Sequence, residues 1–246
     1  MSSYSLVGTA GGAGTTRLAL ELGGVLARGG WEVTVLDASY ATQGLADHCS
    51  GRIDPDATTL ALDGDIPLSA GLVDLAPDAP GRLAVCPARA PFERLARAKA
   101  PEAARRLEAR IEAASEAFDV VLVDTPPVAA NQSVAAAVAT DERVLVAPPG
   151  QRGRDALART RDRLADLGVE GEHVLVNRTD SLDGAPDADA VVPASSVTDP
   201  AEVPVTLDGE GTFVARCAEA AATLFDADLE IETEAPGLGE RLRSLG

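Results

Sequence analysis

Aromatic side chains are scarce in this chain of 246 residues, where Phe, Tyr and Trp together make up 3%. The hydrophobic fraction is nevertheless 46%, so the core is built from Ala, Val, Leu and Ile, a composition of α/β layers that disfavours an aromatic-rich β-sandwich. That much apolar material is ample for a substantial core, which excludes disorder as the main state. Lysine is scarcer still: Lys99 is the only one, leaving 20 arginines among the 21 basic residues. Cys49, Cys86 and Cys217 are far apart, odd in number and without a CxxC pair, so neither a disulfide framework nor a zinc site is expected, and a reducing compartment fits. Long hydrophobic runs are missing as well. No stretch approaches the roughly 18 apolar residues needed to span a bilayer, and Met1 to Leu6 lack the charged and apolar regions of a secretory leader. The expectation is a soluble, cytoplasmic protein.

Positive charge is in deficit, with 39 acidic against 21 basic residues and a formal net charge of −18. Such a field repels nucleic acid, and the sequence shows no basic patch to offset it, so nucleic acid is not an expected partner. The arginine bias, the acidic excess and the Ala/Val-rich interior fit a high-salt cytosol, where dense carboxylates hold water and their repulsion is screened. An ordinary acidic protein from a GC-rich genome is the alternative.

Along the chain, residues 4–8 form an apolar strand that ends in a glycine-rich turn, and 15–28 read as a helix with Leu18, Leu22 and Val25 on one side. Residues 31–37 alternate into a second strand ending at Asp37. The segment 39–82 is rich in Asp, Pro and Gly, with short helices expected near 43–50 and 57–62. A strand at 83–86 and a charged helix over 101–117 follow, with Ala104, Leu107, Ile111 and Ala114 on its apolar side. The run from Asp119 to Asp124 is continuously apolar between its acids, the pattern of a parallel strand covered on both faces. Strands at 143–147 and 173–177, a helix at 153–167, an edge strand at 190–192 and a last helix at 211–225 complete the series. The alternation implies βαβ units and a doubly wound, mainly parallel sheet with helices on both faces. Residues 1–228 read as a single domain and 229–246 as an acidic tail.

In such a sheet a ligand crevice lies at the carboxyl ends of the strands, where the glycine loop 8–14, Asp37 and Asp124 converge. A loop of little side-chain bulk lets successive backbone N–H groups approach a phosphate, and the following helix points its positive end at it. A tight turn serving only strand-to-helix packing is the bland alternative. Ala10-Gly-Gly-Ala-Gly14-Thr15-Thr16 resembles the deviant Walker A loop, K-G-G-x-G-K-T, of the MinD/ParA family of P-loop ATPases. Val35-Leu-Asp37 with Gln43-Gly-Leu45 resembles that family's first switch, and Phe118 to Pro127 its second. Val144 to Pro148, Val174 to Arg178 and Glu202 to Val205 continue in family order, so the resemblance covers roughly residues 4 to 226.

The resemblance implies ATP or ADP with Mg²⁺: Gly11, Gly12, Ala13, Gly14 and Thr15 around the phosphates, Thr16 on the metal, Asp37 and Asp124 organising its water shell, and Asn177 with Arg178 at the base. It also implies a homodimer that engages a protein partner. Asp37 is alternatively a ribose ligand of a dinucleotide fold, Asn177 a turn residue, and His48 and His173 structural or surface residues. Three departures stand out. Ala10 replaces the family's signature lysine, Thr15 replaces the general P-loop lysine, and Ser39 stands where many members carry a second switch acid. Phosphoryl transfer depends mainly on electrostatic stabilisation and positioning, so weak or absent ATPase activity is expected. Arg17 is either a substitute cation at the phosphates or an exposed or ion-paired helix residue. A nucleotide-free adaptor on the same fold is one competing reading. A short-chain-dehydrogenase-like NAD protein is the other, although position 95, four before the only lysine, is Leu95 and not the required tyrosine. Leu238, Leu242 and Leu245 suggest membrane contact by the tail, against which stand Gly237, Gly239 and the acids before them.

Overall fold

In the computed structural model, residues 1–182 and 187–229 are described. The first half contains β1 (Ser2–Gly8), α1 (Thr15–Arg28), β2 (Glu32–Asp37), α2 (Ala57–Leu62), β3 (Val73–Asp74), β4 (Arg82–Cys86), α3 (Phe92–Ala98) and α4 (Pro101–Ala117). The second contains β5 (Val120–Thr125), α5 (Asn131–Ala139), β6 (Glu142–Ala147), α6 (Gln151–Asp166), β7 (His173–Asn177), β8 (Ala190–Val192) and α7 (Thr212–Phe225). The strands make one sheet in the order β3-β4-β2-β5-β1-β6-β7-β8, parallel throughout except for the antiparallel edge strand β3.

Alternation along the apolar strands divides the core into two faces. Leu6, Val35, Leu122, Val144 and Val146 point to the side covered by α1 and α7, where Tyr4 meets Phe225 edge-on at 4.7 Å. Val121 and Val123 point to the opposite side, against Leu107, Ile111 and Ala114 of α4, and Val7, Leu145 and Val176 to the same side against Leu157 and Leu164 of α6. This is why the strands read as unbroken apolar runs: both faces are out of water.

The order separates β1 from β2 by β5. In the dinucleotide-binding fold those two strands are neighbours, so the topology departs from the dehydrogenase reading. The segment expected as a helix near 43–50 is a 3-10 turn over Gly44–His48, because Gln43 enters it at a left-handed φ of 54° and Cys49 leaves it extended. Two helices, α3 and α5, go beyond the sequence expectation. The fourth-residue spacing of apolar side chains is blurred in both: α5 is alanine on several sides, and α3 is a seven-residue, arginine-bearing piece set off by Pro91. Nearly all of the expected acidic tail, including Leu238, Leu242 and Leu245, lies outside the described residues. No helix among the described residues is long and apolar enough to cross a membrane.

Candidate functional site

The loop between β1 and α1 is held at both ends and open in its middle. Thr9 fastens its start to β6, with its backbone N–H on the Val146 carbonyl at 2.9 Å and its hydroxyl on the same oxygen at 3.1 Å. The Ala13 N–H closes a turn on the Ala10 carbonyl at 3.2 Å. Gly12 and Gly14 adopt left-handed φ values of 74° and 90°, where glycine has no Cβ penalty. A Cβ placed on Gly11 or Gly12 would meet nothing within 4 Å, so these two exposed positions face open space. No side chain caps α1 and no acid occupies its first turn, which leaves the backbone donors at the positive end of the helix without a side-chain partner.

Thr15, which the sequence resemblance sets at the place of the usual lysine, is buried, and its hydroxyl lies against Gly8: a Cβ there would stand 2.7 Å from Thr15 Oγ1. Ala10, at the other lysine position, is half-buried.

Thr16 turns to the sheet and donates its hydroxyl to Asp124 Oδ2 at 2.6 Å. Asp124 on β5 and Asp37 on β2 are directly opposite in the parallel register, and both are fully buried. Asp37 accepts the N–H of Ser39 at 2.7 Å and that of Ala88 at 3.0 Å. Among the described residues no Lys or Arg pairs with either carboxylate. Burial foremost, then the charge of Asp124, pushes Asp37 up to about 8, against the pull of the two backbone N–H groups. Burial likewise raises Asp124 to about 6, opposed by the Thr16 hydroxyl. Two buried carboxylates side by side call for a proton or a cation. With a hydroxyl beside them, oxygen donors of this kind suit a hard divalent ion such as Mg²⁺, which keeps part of its water shell and takes few protein ligands. No group of three or more His, Cys, Asp or Glu arranged for a metal occurs among the described residues.

The end of β7 closes the loop from the other side. Asn177 donates its Nδ2 to the Ala13 carbonyl at 2.9 Å and accepts the Arg178 N–H at 2.9 Å. Arg178 NH1 donates to the Gly12 carbonyl at 3.0 Å. Arg17 is engaged elsewhere: Nε on Glu21 at 2.6 Å, NH1 on the Val197 carbonyl at 3.0 Å and NH2 on Ser195 Oγ at 3.1 Å. All three nitrogens serve α1 and the 195–197 segment. Of the two sequence readings for Arg17, the structure displays the ion-paired helix residue.

Ser39 spends its hydroxyl on Thr42 at 2.8 Å. His48 contacts the Pro200 carbonyl and His173 pairs with Glu142, both away from the loop. The three cysteines are free thiols. Sequence reasoning missed how firmly the 88–90 segment is tied in: its successive N–H groups go to Asp37, to Asp56 at 2.7 Å and to Gln43 at 2.7 Å. The Asp56 signal was present in Asp56-Ala-Thr-Thr59, an N-cap whose carboxylate takes the Thr59 N–H at 3.0 Å.

No family model matches the chain, and no curated protein matches it. Solved structures do. MinD from Aquifex aeolicus, in a MinC:MinD complex, superimposes with a TM-score of 0.75 at 19% identity, over 96% of this chain and 100% of that one. The Mg-ADP complex of MinD from Pyrococcus horikoshii OT3 gives 0.72 at 19% identity, over 89% and 94%. The ATP complex of McdA(D38A) from Cyanothece gives 0.70 at 19% identity, over 94% and 99%. The chain therefore has the MinD/ParA-like P-loop ATPase fold.

Proposed function

We propose that this chain is a nucleotide-responsive switch that binds ATP or ADP with Mg²⁺ weakly, hydrolyses it slowly or not at all, and acts as a homodimer upon a protein partner. The observation that carries the reading is the convergence of an open glycine loop, an uncapped helix start and the Thr16, Asp124 and Asp37 oxygens at the carboxyl ends of adjacent strands. Structures of this fold that hold Mg-ADP, ATP or a protein partner support the same assignment.

In this reading Gly11, Gly12, Gly14 and Thr15 offer backbone N–H groups to the phosphates while the Ala13 N–H closes the turn on Ala10, and Thr16 with Asp124 would hold the metal directly or through water. Asp37 accepts from the water shell. A bound Mg²⁺ would supply positive charge to offset the negative charge of the phosphates. The chain's own residues offer less: Thr15 and Ala10 carry no charge, and the Ser39 hydroxyl is occupied by Thr42. Residues 1–228 act as one domain in this proposal, and membrane contact by residues 229–246 plays no part. The expected setting is a high-salt cytosol.

Calorimetry with ATP and Mg²⁺ in molar KCl, beside a phosphate-release assay, tests both halves. Weak, Mg²⁺-dependent binding with turnover at background is expected, and robust turnover would overturn the reading. A nucleotide-free adaptor is the second reading, favoured by the diversion of Arg17 to Glu21, Ser195 and Val197. It gains the field if nothing binds even after Thr15→Lys.

A further inference from the structure

A groove of about 680 Å³ runs beside β3, the outermost strand of the sheet, and no residue of the glycine loop lines it. One wall is β3 with the turn after it, over residues 73–80. Asp47 to Ser50 and the segment 201–208, which carries the short 3-10 turn Val205–Leu207, form the other. We infer that this groove docks an extended, basic segment of the protein partner; the inference deepens the reading above by naming that partner's chemistry, and rests on it for the partner's existence.

The outer side of β3 is open to strand addition. In an antiparallel pair, residues alternate between exchanging both backbone bonds with the partner strand and directing them outward. The Leu75 N–H is bonded to the Leu83 carbonyl at 2.9 Å, and Val73 stands opposite Val85 two residues before it. Asp74, between them, therefore turns its N–H and carbonyl away from β4, toward an edge on which no further strand is paired among the described residues. Such an edge takes up a peptide through main-chain bonds, while pockets for alternate side chains set the specificity.

The groove is apolar at its floor and acidic at its rim. Val73, Leu75 and Leu207 pack only partly buried against the core on the α1 side, and with the buried Ala76, Val203 and Pro204 they make the floor. Asp47, Asp78, Glu202 and Asp208 stand around it, all exposed and none in an ion pair among the described residues. Among those residues no lysine or arginine lines the groove. Its volume falls within the roughly 300–1,000 Å³ of ligand clefts. A segment of alternating apolar and basic side chains meets all three features: its backbone pairs at Asp74, its apolar side chains reach the floor, and its cations face the rim. The same carboxylates repel nucleic acid and acidic segments, and a second copy of a chain with a net charge of −18 is repelled as well.

The probe is a fluorescein-labelled peptide of alternating valine and arginine. It is compared with its valine–glutamate counterpart and with a fully N-methylated version, which cannot donate main-chain hydrogen bonds. Binding to the full chain is followed by anisotropy without nucleotide, in about 0.1 M and about 1 M KCl. Two variants are matched in charge: Asp47→Asn, Asp78→Asn, Glu202→Gln and Asp208→Asn combined at the rim, and Glu102→Gln, Glu108→Gln, Glu112→Gln and Glu116→Gln combined on the exposed side of α4. Thermal midpoints show that each variant is folded, and hydrogen exchange at the Asp74 amide locates the bound peptide. Docking requires the valine–arginine peptide to bind at least about tenfold tighter than either control peptide, and to lose about tenfold in the rim variant while the α4 variant stays within about twofold. It also requires weaker binding at the higher salt and slower exchange of the Asp74 amide in the complex. Equal losses in the two variants mean attraction to net charge alone and overturn the proposal, as does no binding of the peptide or an Asp74 amide that the peptide leaves unchanged. Asp74 protection that grows with chain concentration in the absence of peptide assigns the edge to a second copy and overturns it too. If the peptide docks as required and ATP does not bind, the nucleotide reading falls and the docking groove stands.

Discussion

Arg17 Nε lies 2.6 Å from Glu21 Oε1, one helical turn further along α1, and Glu21 is completely buried. Glu21 also accepts the Thr206 N–H at 3.1 Å, and its backbone carbonyl accepts the Thr206 hydroxyl at 2.7 Å. The pair therefore pins the segment after β8 to the first helix. It also holds away from the glycine loop the cation nearest to it in sequence.

Arg17→Ala leaves the Glu21 carboxylate buried without its counter-charge. The cost expected is about 2–3 kcal/mol of stability, below the range for a fully enclosed pair because Arg17 is partly exposed. Tripolyphosphate affinity is expected to stay within twofold of wild type. Urea denaturation and calorimetry check the two parts. Unchanged stability accompanied by lost anion binding would return Arg17 to the loop.

Asp37 and Asp124 make a pH signature. Their unfolded values are about 3.9, and in the folded chain burial lifts Asp37 to about 8 and Asp124 to about 6. Between about pH 4 and pH 8 the folded state thus binds more protons than the unfolded one, so the contribution of the pair to stability falls as the pH rises through that window and levels off above it. Asp37→Asn, which removes one charge from the pair, should flatten the slope and melt above wild type at pH 8. Mg²⁺ should raise the wild-type midpoint more at pH 8 than at pH 5, where protons compete for the same oxygens. Melts across this range decide it: identical slopes for wild type and Asp37→Asn would refute the account.

The sheet was legible because a strand covered on both faces admits no polar break. Val120 to Val123 announces itself, and the acid that follows marks the carboxyl end where ligands sit. The glycine loop was legible for a related reason, since few residues except glycine adopt the φ values of Gly12 and Gly14. Arg17 was not legible, because its partner Glu21 competes with any loop ligand and sequence spacing gives both readings equal weight. The bonds from Asn177 and Arg178 to Ala13 and Gly12 were hidden more deeply, spanning some 160 positions with no local pattern to reveal them. Helix α5 escaped because alanine on several sides erases the contrast between a buried and a wet face.

Salt should stabilise this chain. With a net charge of −18, self-repulsion acts at full range in dilute buffer, where the Debye length is about 30 Å at 0.01 M, and is nearly silenced at 1 M, where it is about 3 Å. The melting midpoint is expected to climb from dilute buffer to molar KCl. A flat response would discard the high-salt adaptation.

Thr15→Lys probes the missing charge itself. The Thr15 hydroxyl is packed against Gly8 at the end of β1, so a longer side chain there must leave that packed position to reach a phosphate. Restoring one charged hydrogen bond to a phosphate is worth about 1.5–3 kcal/mol, or roughly ten- to a hundredfold in affinity. ATP and tripolyphosphate should gain alike, because the lysine sees only phosphate oxygens. Turnover should gain little, since Ala10 and Ser39 still leave the transition state without its other cation and without an acid to position water. Adding Ala10→Lys and Ser39→Asp is then expected to raise phosphate release above background, most visibly at protein concentrations that favour a dimer. Calorimetry and phosphate release on the single and triple variants measure the two effects separately. A single variant that binds no tighter would show that the loop no longer presents its N–H groups to phosphate.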